Sequence, residues 1–566
     1  MMRDFQTVKS QTYDLIIVGG GINGAGVARD AALRGLKTII IDKADFCGGT
    51  TSWSTRLIHG GLRYLEYFEF SLVRESLRER EILLNAAPHL VKPLLLTIPI
   101  YGDRSRPYWK IQAGMLLYDI FSFDKTVPSH QMLRKKKFRQ LFRYIDPEDL
   151  SGAAQYYDGQ VAYAERLALE NIISAEEAGA TVLNYIEATN LQRENNRISA
   201  LNCKDVLSGE EFEIKCNDKT VIVNTSGPWV DRILNSGMNN GATAPIGKTK
   251  KIGGTKGSHI IVDPFPGAPP TSLYVEAKSD GRPFFIVPWL GMFLIGTTDL
   301  PYNGSLDKVK ADDSEIDYLL RETNLIIPTA KLSRTDVKFT YSGVRPLPYA
   351  EGKKPSSITR SHILFDHSQE GVTNLISLIG GKITTYRQVG EEMVDKVYKK
   401  QGRNAPPCPT LNKPLPGAIL PCDSRIEKAI QDYRTQLPLP TIHHLFEMYG
   451  AKALEVLALV DEEPELAEQI TPQTLDIKAQ IVYAVKSEYA QTLVDITRRR
   501  TSLGMKVNYG LDLLPILTET LTRYCGWSQE KCNEQVEFYR KFMEENCIPD
   551  YVMESSEYIQ KAEVTA

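Results

Sequence analysis

Gly19, Gly21 and Gly24 stand in the pattern G-x-G-x-x-G, directly after the apolar run Leu15–Val18 and ahead of a helical pattern over residues 25–34. That context gives the glycines a chemical use. A tight turn between strand and helix lets the backbone N–H groups of the turn and of Ile22 and Asn23 approach a pyrophosphate at the positive end of the helix. A second buried strand, Thr38–Ile41, ends at Asp42, followed by Lys43. An acid at that spacing receives the hydroxyls of a ribose. Strand, helix, strand and terminal acid agree, so residues 13–42 read as one βαβ unit that binds a dinucleotide, either FAD or NAD.

Two later segments favour FAD. Thr50, Thr51, Ser52, Ser54 and Thr55 form a hydroxyl-rich loop just after the acid, suited to a second phosphate and a ribityl chain. Residues 380–385, Gly-Gly-Lys-Ile-Thr-Thr, read as the opening of a late helix. Its positive end would stabilise charge on a reduced flavin, with Gly381, Lys382 and Thr384 as the contacts. A further glycine, Gly227, follows the short buried strand at 221–223.

These residues need a frame to hold them. A chain of 566 residues exceeds one hydrophobic core, so two or three domains are expected. With 67 basic and 70 acidic side chains the overall field is nearly neutral, which argues against nucleic acid as a partner. The eight cysteines show no metal-ligand spacing and read as reduced thiols, with Cys47 a packed free thiol and no metal expected. The polar stretch 1–13 lacks the apolar core of a signal peptide, and no run of about 18 apolar residues occurs, so a cytoplasmic protein without a membrane-spanning helix is expected. Helices are predicted over 68–87 and 161–178, with a strand over 181–185. A hairpin turning at Gly291 joins strands at 284–287 and 293–295 and signals an antiparallel sheet. Six prolines between 405 and 421 mark a linker, beyond which the pattern is helical.

The segment 57–66, Leu-Ile-His-Gly-Gly-Leu-Arg-Tyr-Leu-Glu, resembles the flavin-dependent glycerol-3-phosphate dehydrogenases. So do Asn-Thr-Ser-Gly-Pro-Trp at 224–229, Lys-Gly-Ser-His at 256–259, Ile-Gly-Thr-Thr-Asp at 295–299, Tyr-Ser-Gly-Val-Arg-Pro at 341–346, Ile-Thr-Arg at 358–360 and the 380–387 segment. The resemblance covers roughly the first 400 residues in order. Asp42 departs from the glutamate more usual in such proteins. The resemblance implies an α/β chain with a Rossmann-type FAD-binding domain (13–95, 150–250 and 366–404) and an antiparallel-sheet α+β substrate domain (96–149 and 251–365), and the pattern beyond it reads as the linker 405–421 and an all-α C-terminal domain (422–562).

It also implies oxidation of sn-glycerol 3-phosphate to dihydroxyacetone phosphate, with hydride passing from C2 to flavin and electrons leaving to a quinone. Alternatives are an oxidase that makes hydrogen peroxide from dioxygen, or a related FAD amine or amino-acid oxidase. By resemblance Arg345 and Arg360 hold the phosphate, Arg63 and Lys382 complete a cationic pocket, and Tyr64 donates a hydrogen bond. Guanidinium forks suit phosphate oxygens. The C2 hydroxyl must lose a proton, and histidine is the side chain poised for that near neutral pH. Among eight histidines, His259 is the first candidate for base or alkoxide stabiliser, and His59 the second. Residues 134–143 combine six basic side chains with Phe138, Leu141 and Phe142 and read as a peripheral contact with the cytoplasmic face of a membrane. A homodimer is expected.

Overall fold

The computed structural model describes residues 5–102, 106–236, 246–247, 249–352, 358–505 and 507–555. Leu15–Val18 lies inside a six-stranded sheet ordered Ile363–Asp366, Leu375–Ile379, Val221–Asn224, Leu15–Val18, Thr38–Ile41, Thr181–Leu183. The pairings are parallel except at the edge, where Ile363–Asp366 runs antiparallel. Its central strands are unbroken apolar runs because both faces are covered. Leu15, Ile17, Ile40 and Val223 pack towards the helices Ile22–Leu33, Ala164–Glu177 and Tyr386–Lys400. Ile16, Val18, Ile39, Ile41 and Ile222 pack towards a three-stranded antiparallel sheet, Ile186–Glu194, Arg197–Asp205 and Glu211–Lys215. Gly35, at φ +86°, closes the first of these helices, a conformation that glycine takes without a steric cost.

A second sheet of ten strands is antiparallel apart from one parallel pairing. Towards one end of it Thr255–Val262 is flanked by Met292–Gly296 and Val337–Arg345. The hairpin turning at Gly291 joins Pro283–Trp289 to Met292–Gly296. This sheet stands over the carboxyl ends of the parallel strands, and the two enclose the cavity described below. From Ser424 to Met553 the chain is helical with short connecting turns. The proline-rich stretch before it is irregular but pinned: Arg29 donates to the carbonyls of Lys413 and Pro414, and Leu415 and Ile419 are buried.

Buried ion pairs tie these parts together. Asp45 accepts from Arg499 and Arg500 at 2.6–2.9 Å, Arg166 grips Glu488 at 2.7 and 2.9 Å, and Arg56 grips Glu165 with two bonds of 2.7 Å. Losing one member of such a pair strands a buried charge, at a cost of about 3–5 kcal/mol.

The segment 134–143 corrects one expectation. The basic run forms a strand end and a short helix, Lys135–Leu141. Phe138 and Phe142 stack at 4.8 Å and are buried in the core, leaving only Leu141 outward. Two of the three side chains meant to dip into lipid are already used for folding.

Candidate active site

A cavity of about 1300 Å3 runs between the two large sheets. At one end lies the glycine turn. Gly19 has φ +107°, and a Cβ there would sit 2.7 Å from the backbone of Ser226. At Gly24 a Cβ would sit 1.9 Å from the Gly19 carbonyl oxygen. These two glycines therefore serve turn and packing, and Gly24 does not line the cavity, which corrects its reading as a contact. Gly21 does line it, together with Ile22 and Asn23 at the start of the helix. A Cβ on Gly21 would meet only Thr51 Oγ1, at 3.4 Å, so the absence of a side chain leaves room for something outside the protein. The Asp42 carboxylate accepts N–H bonds from Gly20 (2.6 Å) and Ala44 (2.9 Å), and burial pushes its pKa up to about 6. It lines the cavity beside Lys43, with Thr225, Gly227 and Trp229 opposite.

The hydroxyl-rich loop is sorted by its hydrogen bonds. Thr51 Oγ1 accepts from Ile22 N at 3.1 Å, tying the loop to the helix start. Thr50 donates to the Val344 carbonyl at 2.7 Å and Ser54 lines the wall. Ser52 is buried, donates to the Cys47 carbonyl at 2.6 Å and does not reach the cavity, so its reading as a ligand is corrected too. Cys47 is buried at a positive φ, and burial pushes its thiol pKa well up, as befits a packed residue. Gly381, Lys382 and Thr384 line the wall just before the helix Tyr386–Lys400, and Thr384 Oγ1 accepts from His59 N at 3.2 Å.

At the other end the structure brings together Arg63, Tyr64, His259, Arg345, Arg360 and Lys382, from five separate stretches of chain. Arg345 ends its strand and donates to Asp299 Oδ1 at 3.0 Å and Thr297 Oγ1 at 3.0 Å. Arg360 reaches the second oxygen of Asp299 at 3.4 Å. One nitrogen each of Arg63 and Arg360 is buried with no hydrogen-bond partner among the described residues. Unsatisfied buried donors are costly, so these suit an incoming anion. Lys382 donates to Ser76 Oγ at 2.6 Å and lies 5.0 Å from the Tyr64 ring. Burial lowers its pKa to about 8, against the opposing pull of Glu75 and Glu69.

His259 pairs with Gly296 across the sheet, and a Cβ on that glycine would come within 2.5 Å of the imidazole. Its Nε2 lies 2.9 Å from Thr55 Oγ1, and Nδ1 has no partner. An unpaired lone pair is cheaper to bury than an unpaired N–H, so we assign the proton to Nε2, donating to Thr55. Burial first, then Arg345 and Arg56, holds its pKa well below the usual imidazole range, leaving it neutral. His59 also lines the cavity, with its pKa lowered chiefly by burial. Behind it Asp158 binds Arg80 (2.8 Å) and Tyr118 (2.8 Å), while the Tyr118 hydroxyl accepts from Gly60 N.

Asp299 and this Asp158 cluster carry no role in the sequence reading. Asp299 does stand inside the quoted 295–299 motif, whereas Asp158 has no local signal, because its partners lie 78 and 40 residues away.

Residues 14–387 match the family described as FAD dependent oxidoreductase, and residues 408–532 match the C-terminal domain of alpha-glycerophosphate oxidase. Over 555 residues, 98% of this chain and 100% of the relative, the sequence is 61% identical to a glycerol-3-phosphate dehydrogenase of Synechocystis sp.. It is 38% identical over 506 residues to D-erythritol 1-phosphate dehydrogenase of Brucella abortus, covering 87% of this chain and 94% of that one. Among solved structures, the glycerol-3-phosphate dehydrogenase from Bacillus halodurans complexed with FAD matches with a TM-score of 0.75 and 26% identity, over 95% of this chain and 96% of the other.

Proposed function

The chain belongs to the FAD-dependent oxidoreductases, and within them to the glycerol-3-phosphate dehydrogenases, and from that premise we propose how its residues carry out the oxidation of sn-glycerol 3-phosphate to dihydroxyacetone phosphate. The observation that carries the reading is the convergence of Arg63, Arg345, Arg360 and Lys382 on one end of a cavity whose other end is a dinucleotide turn.

FAD fits the long wall. The helix start at Ile22 and Asn23 suits its pyrophosphate, Asp42 its ribose, and the 50–55 loop with Gly381 and Thr384 the remainder. Bound FAD supplies the hydride acceptor for C2. The substrate phosphate takes Arg345 and Arg360 as its forked ligands, Arg63 and Lys382 as added charge, and a Tyr64 hydrogen bond. A carboxylate would need fewer cations, which speaks against an amino acid as substrate. His259 stays the candidate for base or alkoxide stabiliser, and, neutral with its proton on Nε2 beside Thr55, it fits the second role, donating to the C2 oxygen as the alkoxide develops. His59 positions the 59–61 turn.

Electrons leave to a quinone at a membrane surface. Support comes from an outward apolar stripe on the helix Tyr108–Phe121: Trp109 (71% exposed), Leu116 and Ile120, continued by Phe123 (77%) and Phe68 (78%). Phe68 directly follows the turn Leu62–Tyr67, which places Arg63 and Tyr64 on the cavity wall. Contiguous exposed apolar surface of this kind marks an interaction site. We assign membrane contact to this stripe in place of residues 134–143. No helix among the described residues is long and apolar enough to cross a membrane. A second reading, reduction of dioxygen to hydrogen peroxide, is favoured by the description of the family that residues 408–532 match. Turnover with a soluble quinone analogue under nitrogen, set against peroxide release in air, separates the two. Rapid quinone reduction with little peroxide supports the first, and peroxide equal to substrate consumed would replace it with the second.

A further inference from the structure

The residues after Leu300–Pro301, an edge strand of the ten-stranded sheet, cross over the glycine-turn end of the cavity before the helix Asp313–Ile326 begins. Leu306, Asp307 and Val309 of this strap line the cavity. The Asp307 carboxylate collects three donors from the dinucleotide side: Lys43 Nζ, Trp229 Nε1 at 3.0 Å and Arg232 at 3.1 Å. Arg232 continues to Glu187 at 2.8 Å, and the Lys43 ammonium also lies 4.4 Å from the Trp229 ring. Lys43 is the residue after Asp42. The closure therefore falls on the adenosine half of the groove.

The other side of the strap is held by the C-terminal helices. Lys308 pairs with Glu545 at 2.7 Å, Lys310 with Asp550 at 2.6 Å, and Val309 N donates to Asn546 Oδ1 at 3.4 Å. Phe538, Phe542 and Asn546 of the helix Gln529–Asn546 line the same cavity. A turn fixed by the Tyr302 hydroxyl on the Ser305 carbonyl (2.8 Å) sets the shape of the strap.

We propose that residues 302–312 form a cofactor-retention clasp, in which Asp307 closes over the adenosine half of FAD and the C-terminal helices anchor the closed position. This gives the helical region a task in cofactor exchange. It rests on FAD occupying this cavity. A bare surface salt bridge contributes little, but Asp307 gathers three donors on one carboxylate, and opening the strap must break all of them together. Each is partly exposed, so added salt should loosen them.

The test is the rate at which holoenzyme releases FAD on dilution, followed by the flavin fluorescence that returns on release. For Asp307→Asn, release should be about tenfold faster, equivalent to about 1.4 kcal/mol. High salt should move wild type towards that rate, and Lys308→Ala with Lys310→Ala should act in the same direction. The KM for glycerol 3-phosphate at saturating FAD should not change. Release within about twofold of wild type would overturn the clasp. So would a loss of thermal stability that is the same in apoprotein and holoprotein, since that describes a joint indifferent to FAD. Wild-type protein that carries and takes up no FAD would instead sink the cofactor reading beneath it.

Discussion

Asp299 Oδ1 lies 3.0 Å from Arg345, an ion pair between two residues that both line the cavity, and its other oxygen faces Arg360 at 3.4 Å. The carboxylate separates two like charges and fixes the direction of their forks in the absence of substrate. Asp299→Asn keeps the shape and removes the charge. Its KM for glycerol 3-phosphate should rise about tenfold, about 1.4 kcal/mol, with a smaller change in kcat. In an Arg345→Ala background the same substitution should cost less, because only the longer contact to Arg360 remains to be lost.

Arg345→Ala removes a charge-assisted phosphate contact outright. A loss of about one to two orders of magnitude in kcat/KM follows from about 1.5–3 kcal/mol for such bonds. Glycerol itself, which lacks a phosphate, should reduce the flavin of neither mutant nor wild type.

Lys382 gives a pH signature. Its pKa is lowered to about 8, so its positive charge is present below that pH and lost as pH rises through it. Phosphate affinity should fall over that range, visible as KM rising above pH 8 with kcat less affected. In Lys382→Arg the charge persists, and the rise should vanish. A KM flat through pH 9 in wild type would show that Lys382 does not contact the phosphate.

The glycine turn separates two kinds of requirement. Gly24→Ala places a methyl 1.9 Å from the Gly19 carbonyl and should give protein without flavin, largely misfolded. Gly21→Ala meets no backbone, so it should fold with near-normal thermal stability yet bind FAD weakly. The measurement is the flavin-to-protein ratio alongside the melting temperature of each variant.

The outward stripe is tested by charge. Leu116→Asp with Ile120→Asp should abolish co-flotation with anionic vesicles while leaving activity with a soluble quinone analogue intact, since both side chains are already in water. Phe138→Asp should instead destabilise the fold, because that ring is buried.

Much of this was legible from local pattern. Leu15–Val18 and Thr38–Ile41 match their predicted bounds, because a glycine turn and a terminal acid punctuate them sharply. The arginines of the phosphate end were readable only through motif resemblance, since nothing local distinguishes Arg360 from a surface arginine. The failures share a cause: periodicity reports that a face is apolar, not what covers it. Phe138 and Phe142 form a stacked pair facing the core, whereas the helix Tyr108–Phe121, apolar nearly all round, gives no preferred face and its exposed stripe escaped notice. Ser52 and Gly24 sit inside the right motifs yet serve the fold, because a motif names positions and only geometry says which of them face the cavity.

The central claim is that one cavity holds a flavin and oxidises a phosphorylated triol beside it. Its most direct test is anaerobic addition of sn-glycerol 3-phosphate to the purified holoenzyme, following the visible flavin absorbance. Glycerol 3-phosphate should bleach the flavin, with dihydroxyacetone phosphate formed one-for-one with flavin, and glycerol and L-amino acids should not. A flavin that stays oxidised with glycerol 3-phosphate, or bleaches as readily with an L-amino acid, would contradict it.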